Sequence, residues 1–240
     1  MAGILRYGSY VPYFRLKRQS TQAGGRGERA VASFDEDATS LAVEASREAI
    51  RDADAPSGLL FASNSHAYAE KLNAAVLHAA LDLPAGIRSL DCSGSSRTGL
   101  TAIGLAAQLS ANSSTLVAAS DITCSAAGGS AESVGGDGAC SFVVGPDDRA
   151  VAKIIGSSAS TEELLDVWRS PNQPYSRQWE ERFGEQVLTP ALTEAFQAAL
   201  AEAGLQSKDL AKVAVDATSD RISKSFLRQA GFSPNRWRTT

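Results

Sequence analysis

Hydrophobic residues follow two alternating patterns along the first 147 positions. Short apolar runs bounded by turn residues predict strands, and apolar positions at helical spacing predict helices between them. The predicted strands cover 3–14, 58–65, 87–93, 114–123 and 135–145. The predicted helices cover 35–53, 71–83 and 99–111, and the polar, glycine-containing segment 15–30 is predicted as a loop. The helix over 99–111 is apolar on all sides, which predicts burial in the middle of an α/β fold.

The same order begins again after Pro146. Strands are predicted over 149–160 and 212–219, and helices over 187–205 and 222–232, around an irregular aromatic segment over 161–186. This indicates two related halves, 1–147 and 148–240. The second half is incomplete, because it has no counterpart of the run of strands and helix that closes the first. We therefore expect a chain that is truncated, frameshifted or completed by a partner.

Composition narrows the class of protein. The 240 residues are 43% hydrophobic and 21% charged, with a net charge of −4, which is typical of a folded globular protein with no overall attraction to nucleic acid. No apolar run reaches the roughly 18 residues of a membrane span, and the N-terminus has no signal-peptide pattern, so we expect a cytoplasmic protein. Cys92, Cys124 and Cys140 are too few and too scattered for a disulfide framework or a zinc knuckle, and no metal site is expected.

A basic stretch at 221–240 is the one local exception to this charge balance. Taken alone, it indicates a patch for nucleic acid or an acidic partner. Its cations are Arg221, Lys224, Arg228, Arg236 and Arg238.

Four segments of the chain carry a family resemblance. They are the opening strand with Gly8 and Pro12, the acidic helix start at 34–50, the strand–turn–helix at 89–106, and the GDGA turn within 135–145. In this order they resemble the thiolase superfamily, specifically its HMG-CoA synthase and ketoacyl synthase III branch. The resemblance implies a thiolase-like layered α/β fold of two pseudo-repeated βαβαβαββ-type halves. It also implies a homodimer, acyl-CoA as substrate or ligand with no further cofactor, and in some relatives a zinc-ribbon/OB-fold protein partner.

The resemblance also places three catalytic positions. The family's nucleophilic Cys falls at Ser96, its acid/base Glu at Asn64, and its His at Asp216. A serine hydroxyl has a much higher pKa than a thiol, and neither an amide nor a carboxylate replaces imidazole in activating it. The predicted function is HMG-CoA synthase-like acyl transfer or carbon–carbon bond formation on thioesters, with altered catalytic residues. The alternative is a non-catalytic acyl-CoA-binding or scaffold subunit.

Several residues near these positions have two interpretations. Cys92, four residues before Ser96, is a nucleophile under a shifted alignment or a small buried strand residue. Ser96 itself is a nucleophile, a hydrogen-bond donor to a thioester carbonyl, or a helix N-cap. His66 faces the acyl pocket or is an ordinary loop residue, whereas His78 is interpreted as packing. The glycine-rich turn at 135–138 is interpreted as structural.

Three arginines also have two interpretations each. Arg97 directly follows the nucleophile position and pairs either with a substrate carboxylate or with Asp91 or Asp121. Arg26 and Arg29 lie in a segment that resembles the CoA-contacting stretch of ketoacyl synthase III. They are predicted to bind the phosphates of CoA, and a solvated loop is the alternative.

Overall fold

The computed structural model describes residues 1–110, 112–232 and 237–239, the last three as backbone. The chain divides into two compact units, Met1–Ile154 and Ile155–Thr240. The strands of the first unit are β1 (Ala2–Tyr10), β2 (Phe14–Lys17), β3 (Glu28–Val31), β4 (Gly58–Ala62), β5 (Arg88–Cys92), β6 (Thr115–Asp121), β7 (Gly138–Pro146) and β8 (Ala152–Lys153). Its helices are α1 (Ala38–Ala49), α2 (Ala74–Ala80), α3 (Thr98–Leu109) and α4 (Ser130–Val134).

A six-stranded mixed sheet organises the first unit. Its strand order is β5-β4-β6-β7-β1-β8. Strand β4 runs parallel to both β5 and β6, whereas β7 is antiparallel to β6 and to β1. The carboxyl ends of β4, β5 and β6 therefore lie side by side at one end of the sheet.

Helices cover both faces of this sheet, as the alternation along β4 shows. Leu59 and Phe61 are fully buried in a core that includes residues of α1 and α2. Leu60 and Ala62 pack into a second core, with Ala102 of α3. Because successive strand side chains point to opposite faces, one apolar run supplies both cores. The predicted α/β layering is confirmed.

Helix α1 begins at a strong local signal. Asp37 is its N-cap: the carboxylate accepts a hydrogen bond from Ser40 N at 2.7 Å, and Ser40 Oγ accepts one from Asp37 N at 2.8 Å. The helix packs so closely on β1 that a Cβ at Gly8 would lie 2.2 Å from the carbonyl oxygen of Ala45. Glycine at position 8 is thus required by the approach of two backbones.

Three predicted elements of the first unit differ in the structure. The predicted loop 15–30 is an antiparallel hairpin at its ends, because backbone pairing of β2 with β3 needs no apolar pattern. The predicted strand 149–160 shortens to β8, which pairs only with Gly3 and Ile4. The helix predicted as buried over 99–111 is α3, but Leu100 is 70% exposed and Leu109 57% exposed. Its small alanines face the sheet, and an apolar pattern on all sides could not show which face is covered.

The second unit is smaller and mostly helical. Its elements are β9 (Val167–Trp168), β10 (Arg177–Gln178), α5 (Glu181–Ala203), β11 (Val213–Val215), α6 (Asp220–Gln229) and β12 (Trp237–Thr239). Its core includes the rings of Phe196, Phe226 and Phe232, which meet edge to face. Helix α5 begins at 181, six residues before the predicted start, so the segment predicted as irregular ends in helix. Strands β11 and β12 pair in parallel.

The predicted basic patch at the end of the chain is partly neutralised by acids. Arg221 pairs with Glu185, and Lys224 Nζ lies 3.0 Å from Asp220. Arg236 and the side chain of Arg238 lie outside the described residues. In the described part of the chain, every helix is too short or too polar to cross a membrane.

Candidate functional site

Polar side chains gather where β4, β5 and β6 end. Residues 63–65 follow β4, the turn 93–97 follows β5, and Asp121 is the last residue of β6. Because these strands are parallel neighbours, the three segments meet at one end of the sheet. Ligands of open α/β sheets bind in this position.

The carboxylate of Asp121 ties the end of β6 to the segment after β4. Its Oδ1 accepts hydrogen bonds from Asn64 N at 2.8 Å and Ser65 N at 3.1 Å. The hydroxyls of Ser63 and Ser65 donate to the same oxygen at 3.1 and 2.9 Å. Ser65 Oγ in turn accepts from Ile122 N at 2.8 Å. Segment 63–65 is thus held along its whole length.

Asn64 connects this segment to the turn after β5. Its Oδ1 accepts a hydrogen bond from Gly94 N at 3.1 Å. Gly94 has φ +107°, a conformation that favours glycine, and a Cβ there would meet no atom within 4 Å. Nearby, Ser63 N donates to the carbonyl of Cys92 at 3.0 Å. The structure thus brings the predicted position Asn64 beside the turn that contains the predicted position Ser96.

Ser96 is exposed in the turn that leads into α3. The helix N-cap is Arg97, one residue later, and no side chain caps it. The carbonyl of Ser95 accepts hydrogen bonds from Thr98 N at 3.0 Å and from Thr98 Oγ1 at 2.6 Å. Ser96 therefore does not occupy the N-cap position, and its side chain lies at the surface of the turn.

Asp91 supports helix α2. Its carboxylate accepts hydrogen bonds from Asn73 N at 2.7 Å, Asn73 Nδ2 at 3.0 Å and Ala74 N at 2.6 Å. Asn73 is 2% exposed and also binds the carbonyls of Tyr68 and Lys71, both at 3.0 Å. This structural role was not predicted from the sequence, where Asp91 was weighed only as a partner of Arg97.

Cys92, the second candidate nucleophile, ends β5 and is partly buried against the core beneath α3. Burial, together with the neighbouring Asp91 carboxylate, raises the pKa of its thiol above the usual 9.0. A raised pKa keeps the sulfur protonated near neutral pH and therefore weakly nucleophilic. The geometry favours the interpretation of Cys92 as a small strand residue.

The two histidines have different surroundings. The ring of His66 packs edge-on against Phe61, with centroids 4.8 Å apart, on the side of the sheet that α1 and α2 cover. Its Nε2 is buried and has no hydrogen-bond partner among the residues that the structure describes. His78 Nε2 lies 3.0 Å from the carbonyl oxygen of Pro84. His66 thus faces the core rather than the strand ends.

The two predicted CoA-binding arginines are not equivalent. Arg26 is exposed in the connection between β2 and β3. The side chain of Arg29 is only 11% exposed, and its Nη1 lies 3.6 Å from Asp137 Oδ1. Asp137, in the glycine-rich turn, also accepts hydrogen bonds from Ala32 N and Thr123 N, both at 2.8 Å. The turn at 135–138 therefore has a structural role, and Arg29 of β3 contributes to it through its ion pair with Asp137.

Asp216 lies in the second unit, where it is exposed directly after β11. It precedes Ser219, the N-cap of α6, whose hydroxyl accepts from Ile222 N at 3.4 Å. The predicted position thus falls in a loop between a strand and a helix. Within the described residues, no group of three His, Cys, Asp or Glu side chains is arranged to hold a metal ion.

Comparison with known proteins shows which proteins this chain is similar to. No protein-family model matches the chain. It is 26% identical over 228 residues to the hydroxymethylglutaryl-CoA synthase of Methanocaldococcus jannaschii, covering 87% of this chain and 66% of that protein. Its backbone matches the crystal structure of 3-oxoacyl-[acyl-carrier-protein] synthase III from Aquifex aeolicus with a TM-score of 0.83, at 18% identity, covering 100% of this chain and 84% of that one. These similarities support the resemblance to the thiolase superfamily.

The similar proteins are those of the HMG-CoA synthase and ketoacyl synthase III branch, which supports the resemblance found in the sequence. A solved HMG-CoA synthase complexed with CoA matches with a TM-score of 0.81, at 17% identity, covering 95% of this chain and 63% of that one. The chain spans about two thirds of the length of the curated relatives it matches. The thiolase-like fold is confirmed, and the homology is to acyltransferases.

Proposed function

We propose that this chain binds an acyl-CoA thioester at the carboxyl ends of β4, β5 and β6 without forming a covalent acyl-enzyme there. It would act as an acyl-CoA-binding subunit of a thiolase-like assembly. One observation carries the proposal: the amide oxygen of Asn64, at the family's acid/base position, accepts the N–H of Gly94 at 3.1 Å. The group at that position therefore holds a turn and has no proton to exchange.

The physical argument concerns activation of a nucleophile. Attack on a thioester needs a group that is ionised, or a base that removes its proton. Ser96 has an ordinary hydroxyl, and an amide such as Asn64 is neither an acid nor a base at physiological pH. Burial raises the pKa of the Cys92 thiol, which disfavours its thiolate form. Binding of a thioester requires none of these groups to be ionised.

Arg26 is the candidate partner for the phosphates of CoA. It is exposed, and a guanidinium matches the geometry of a phosphate. Arg29 lies in the same hairpin, but we do not expect it to bind the phosphates directly, because its guanidinium faces Asp137. A related protein of the same fold has been solved with CoA, which supports this ligand class.

A second candidate function is acyl transfer through Ser96. It is favoured by the position of this hydroxyl, which is exposed immediately before α3. The free N–H groups of a helix's first turn carry partial positive charge and stabilise a developing oxyanion. This candidate keeps the predicted acyltransferase reaction with altered catalytic residues.

One experiment separates the two candidates. The purified chain is incubated with acetyl-CoA and longer acyl-CoAs, then analysed by intact mass spectrometry and by calorimetry. We expect binding without a covalent adduct, and binding that persists in Ser96→Ala. An adduct that maps to Ser96 and disappears in Ser96→Ala supports acyl transfer instead. Absence of binding to wild type refutes both candidates.

The assembly is part of this proposal. A homodimer and a zinc-ribbon/OB-fold partner in the cytoplasm are implied by the family resemblance, and a partner would supply the chemistry that Ser96 and Asn64 do not. Sedimentation of the purified chain tests the dimer. A sedimentation coefficient for a monomer at micromolar concentration refutes it.

A further inference from the structure

The carboxylate of Asp121 is the most heavily used hydrogen-bond acceptor near the proposed site. We propose that Asp121 is a positioning residue, which sets the turn around Ser96 by acting through Asn64. The inference concerns residues that shape the site, and it rests on the proposed function only where acyl-CoA is taken as the ligand. Two hydrogen bonds in sequence, from Asn64 N to Asp121 and from Gly94 N to Asn64, connect Asp121 to the turn.

The first step joins Asp121 to the segment after β4. Four donors from Ser63, Asn64 and Ser65 converge on Oδ1 at 2.8 to 3.1 Å. Hydrogen bonds to an ionised acceptor are about twice as strong as those between neutral groups. Two of the four donors are backbone N–H groups, so the carboxylate fixes the path of the main chain as well as two hydroxyl rotamers.

The second step is a further contact between residues 63–65 and the end of β6, made by the hydroxyl of Ser65. Ser65 Oγ donates to Asp121 and accepts from Ile122 N at 2.8 Å, so the same hydroxyl joins the segment to the residue after β6. Segment 63–65 thus has contacts on both sides of the strand end. The hydrogen bond from Asn64 N to Asp121 holds the backbone of Asn64 in place and therefore also fixes the position from which its side chain extends.

The third step passes from Asn64 to the turn. Its Oδ1 accepts from Gly94 N, and Gly94 has the positive φ that starts the turn toward Ser96. If the backbone of Asn64 moves, this acceptor moves with it, and the Gly94 N–H loses its partner. The proposal therefore orders the contacts: Asp121 acts on Asn64, and Asn64 acts on Gly94.

Amide proton exchange with water, measured by NMR on the full chain, tests this order. In Asp121→Ala we expect exchange at Asn64, Ser65 and Gly94 to accelerate roughly tenfold. In Asn64→Ala we expect acceleration at Gly94 alone. Asp121→Asn keeps an acceptor oxygen and should return all three rates to within about threefold of wild type.

The control is Asp148→Ala, which removes another exposed carboxylate of the first unit, one that lies 3.8 Å from Arg149. It should leave the three rates unchanged. Accelerated exchange at Ser65 with an unchanged rate at Gly94 in Asp121→Ala would overturn the proposal, because the segment and the turn would then be independent.

Acyl-CoA affinity gives the second readout. We expect Asp121→Ala to weaken binding roughly three- to tenfold, with Asp121→Asn closer to wild type. If wild type binds no acyl-CoA, the proposed function fails while the exchange rates still decide whether Asp121 positions the turn. If affinity is unchanged although Gly94 exchanges faster, the turn plays no part in ligand binding and Asp121 is not a positioning residue of that site.

Discussion

Replacing Asp137 by alanine would leave the guanidinium of Arg29 buried without its carboxylate. The two side chains are 2% and 11% exposed, and the nearest charged atoms lie 3.6 Å apart. Asp137 also accepts the backbone N–H groups of Ala32 and Thr123, both at 2.8 Å. A single substitution therefore removes an ion pair and two charge-assisted hydrogen bonds that join β3, the segment after β6 and the glycine-rich turn.

The expected loss of stability follows from these contacts. At 3.6 Å and an effective dielectric constant of about 20, two unit charges attract by roughly 4–5 kcal/mol. Breaking a buried pair by removing one partner costs about 3–5 kcal/mol. We expect the lower end of that range here, because the carboxylate of Glu132 also lies within electrostatic reach of Arg29. For a chain of this size, that loss lowers the melting temperature by roughly 6–20 °C.

A double-mutant cycle measures the pair directly. Unfolding in urea, followed by circular dichroism, gives the free energies of Asp137→Ala, Arg29→Ala and the double variant. We expect the double variant to lose less than the sum of the single losses, because it leaves no buried charge unpaired. The reasoning is refuted if Asp137→Ala stays within about 0.5 kcal/mol of wild type, or if the single losses simply add.

The same series separates the two interpretations of Arg29. If Arg29 only bound the phosphates of CoA, Arg29→Ala would leave the stability of the unliganded chain unchanged. Its ion pair with Asp137 predicts a loss without any ligand. Arg26→Ala is the matched control: its side chain is exposed, so we expect unchanged stability and weaker acyl-CoA binding.

Three further predictions use other parts of the first unit. Because burial raises the pKa of the Cys92 thiol, iodoacetamide should modify it at least about tenfold more slowly at pH 8 than the exposed Cys124, and equal rates by mass spectrometry would contradict this. Backbone N–H donors lower the pKa of Glu132 below its usual 4.5, so its stabilising effect is full above pH 4.5 and is lost as pH falls through the lowered value. The melting temperatures of wild type and Glu132→Gln should therefore differ at pH 7 and converge at low pH, whereas a constant difference would be inconsistent with this. Gly8→Ala should destabilise the chain by more than about 3 kcal/mol because its Cβ would clash with the backbone of α1, whereas Gly104→Ala, in open space on α3, should stabilise it by up to about 1 kcal/mol; equal melting temperatures would contradict the packing argument.

The central strands β4, β6 and β7 were predictable because each carries a compact apolar run. Residues 59–62 illustrate this, since alternate side chains fill the cores on the two faces. The β2–β3 hairpin was not predictable in the same way, because its pairing is made by backbone groups beneath polar side chains. The exposed face of α3 was missed for a related reason: Leu100 and Ala102 look alike in an apolar pattern, and only packing decides which of them meets the sheet.

The sequence predicts that the segments of Asn64 and Ser96 follow neighbouring strands, but it does not predict the hydrogen bonds between them. Family resemblance placed Asn64 and Ser96, and the parallel strand ends bring their segments together. The link between them runs through the N–H of Gly94, a backbone group that no residue type reveals. The sequence indicates Asp121 only as a possible partner of Arg97, because its contacts with residues 63–65 depend on the order of the strands in the sheet.

Three carboxylates near the strand ends are engaged by groups of the protein itself. Asp91 binds the start of α2, Asp121 binds segment 63–65, and Asp137 binds Arg29 and two backbone N–H groups. Each is engaged by donors from its own scaffold, so its charge stabilises a loop. Asn64 has a similar structural role, because its amide oxygen accepts a hydrogen bond from Gly94 N in the turn after β5. The geometry of the strand ends is therefore maintained by contacts between neighbouring loops and strands, and the proposed thioester binding would not require any of these carboxylates to exchange a proton.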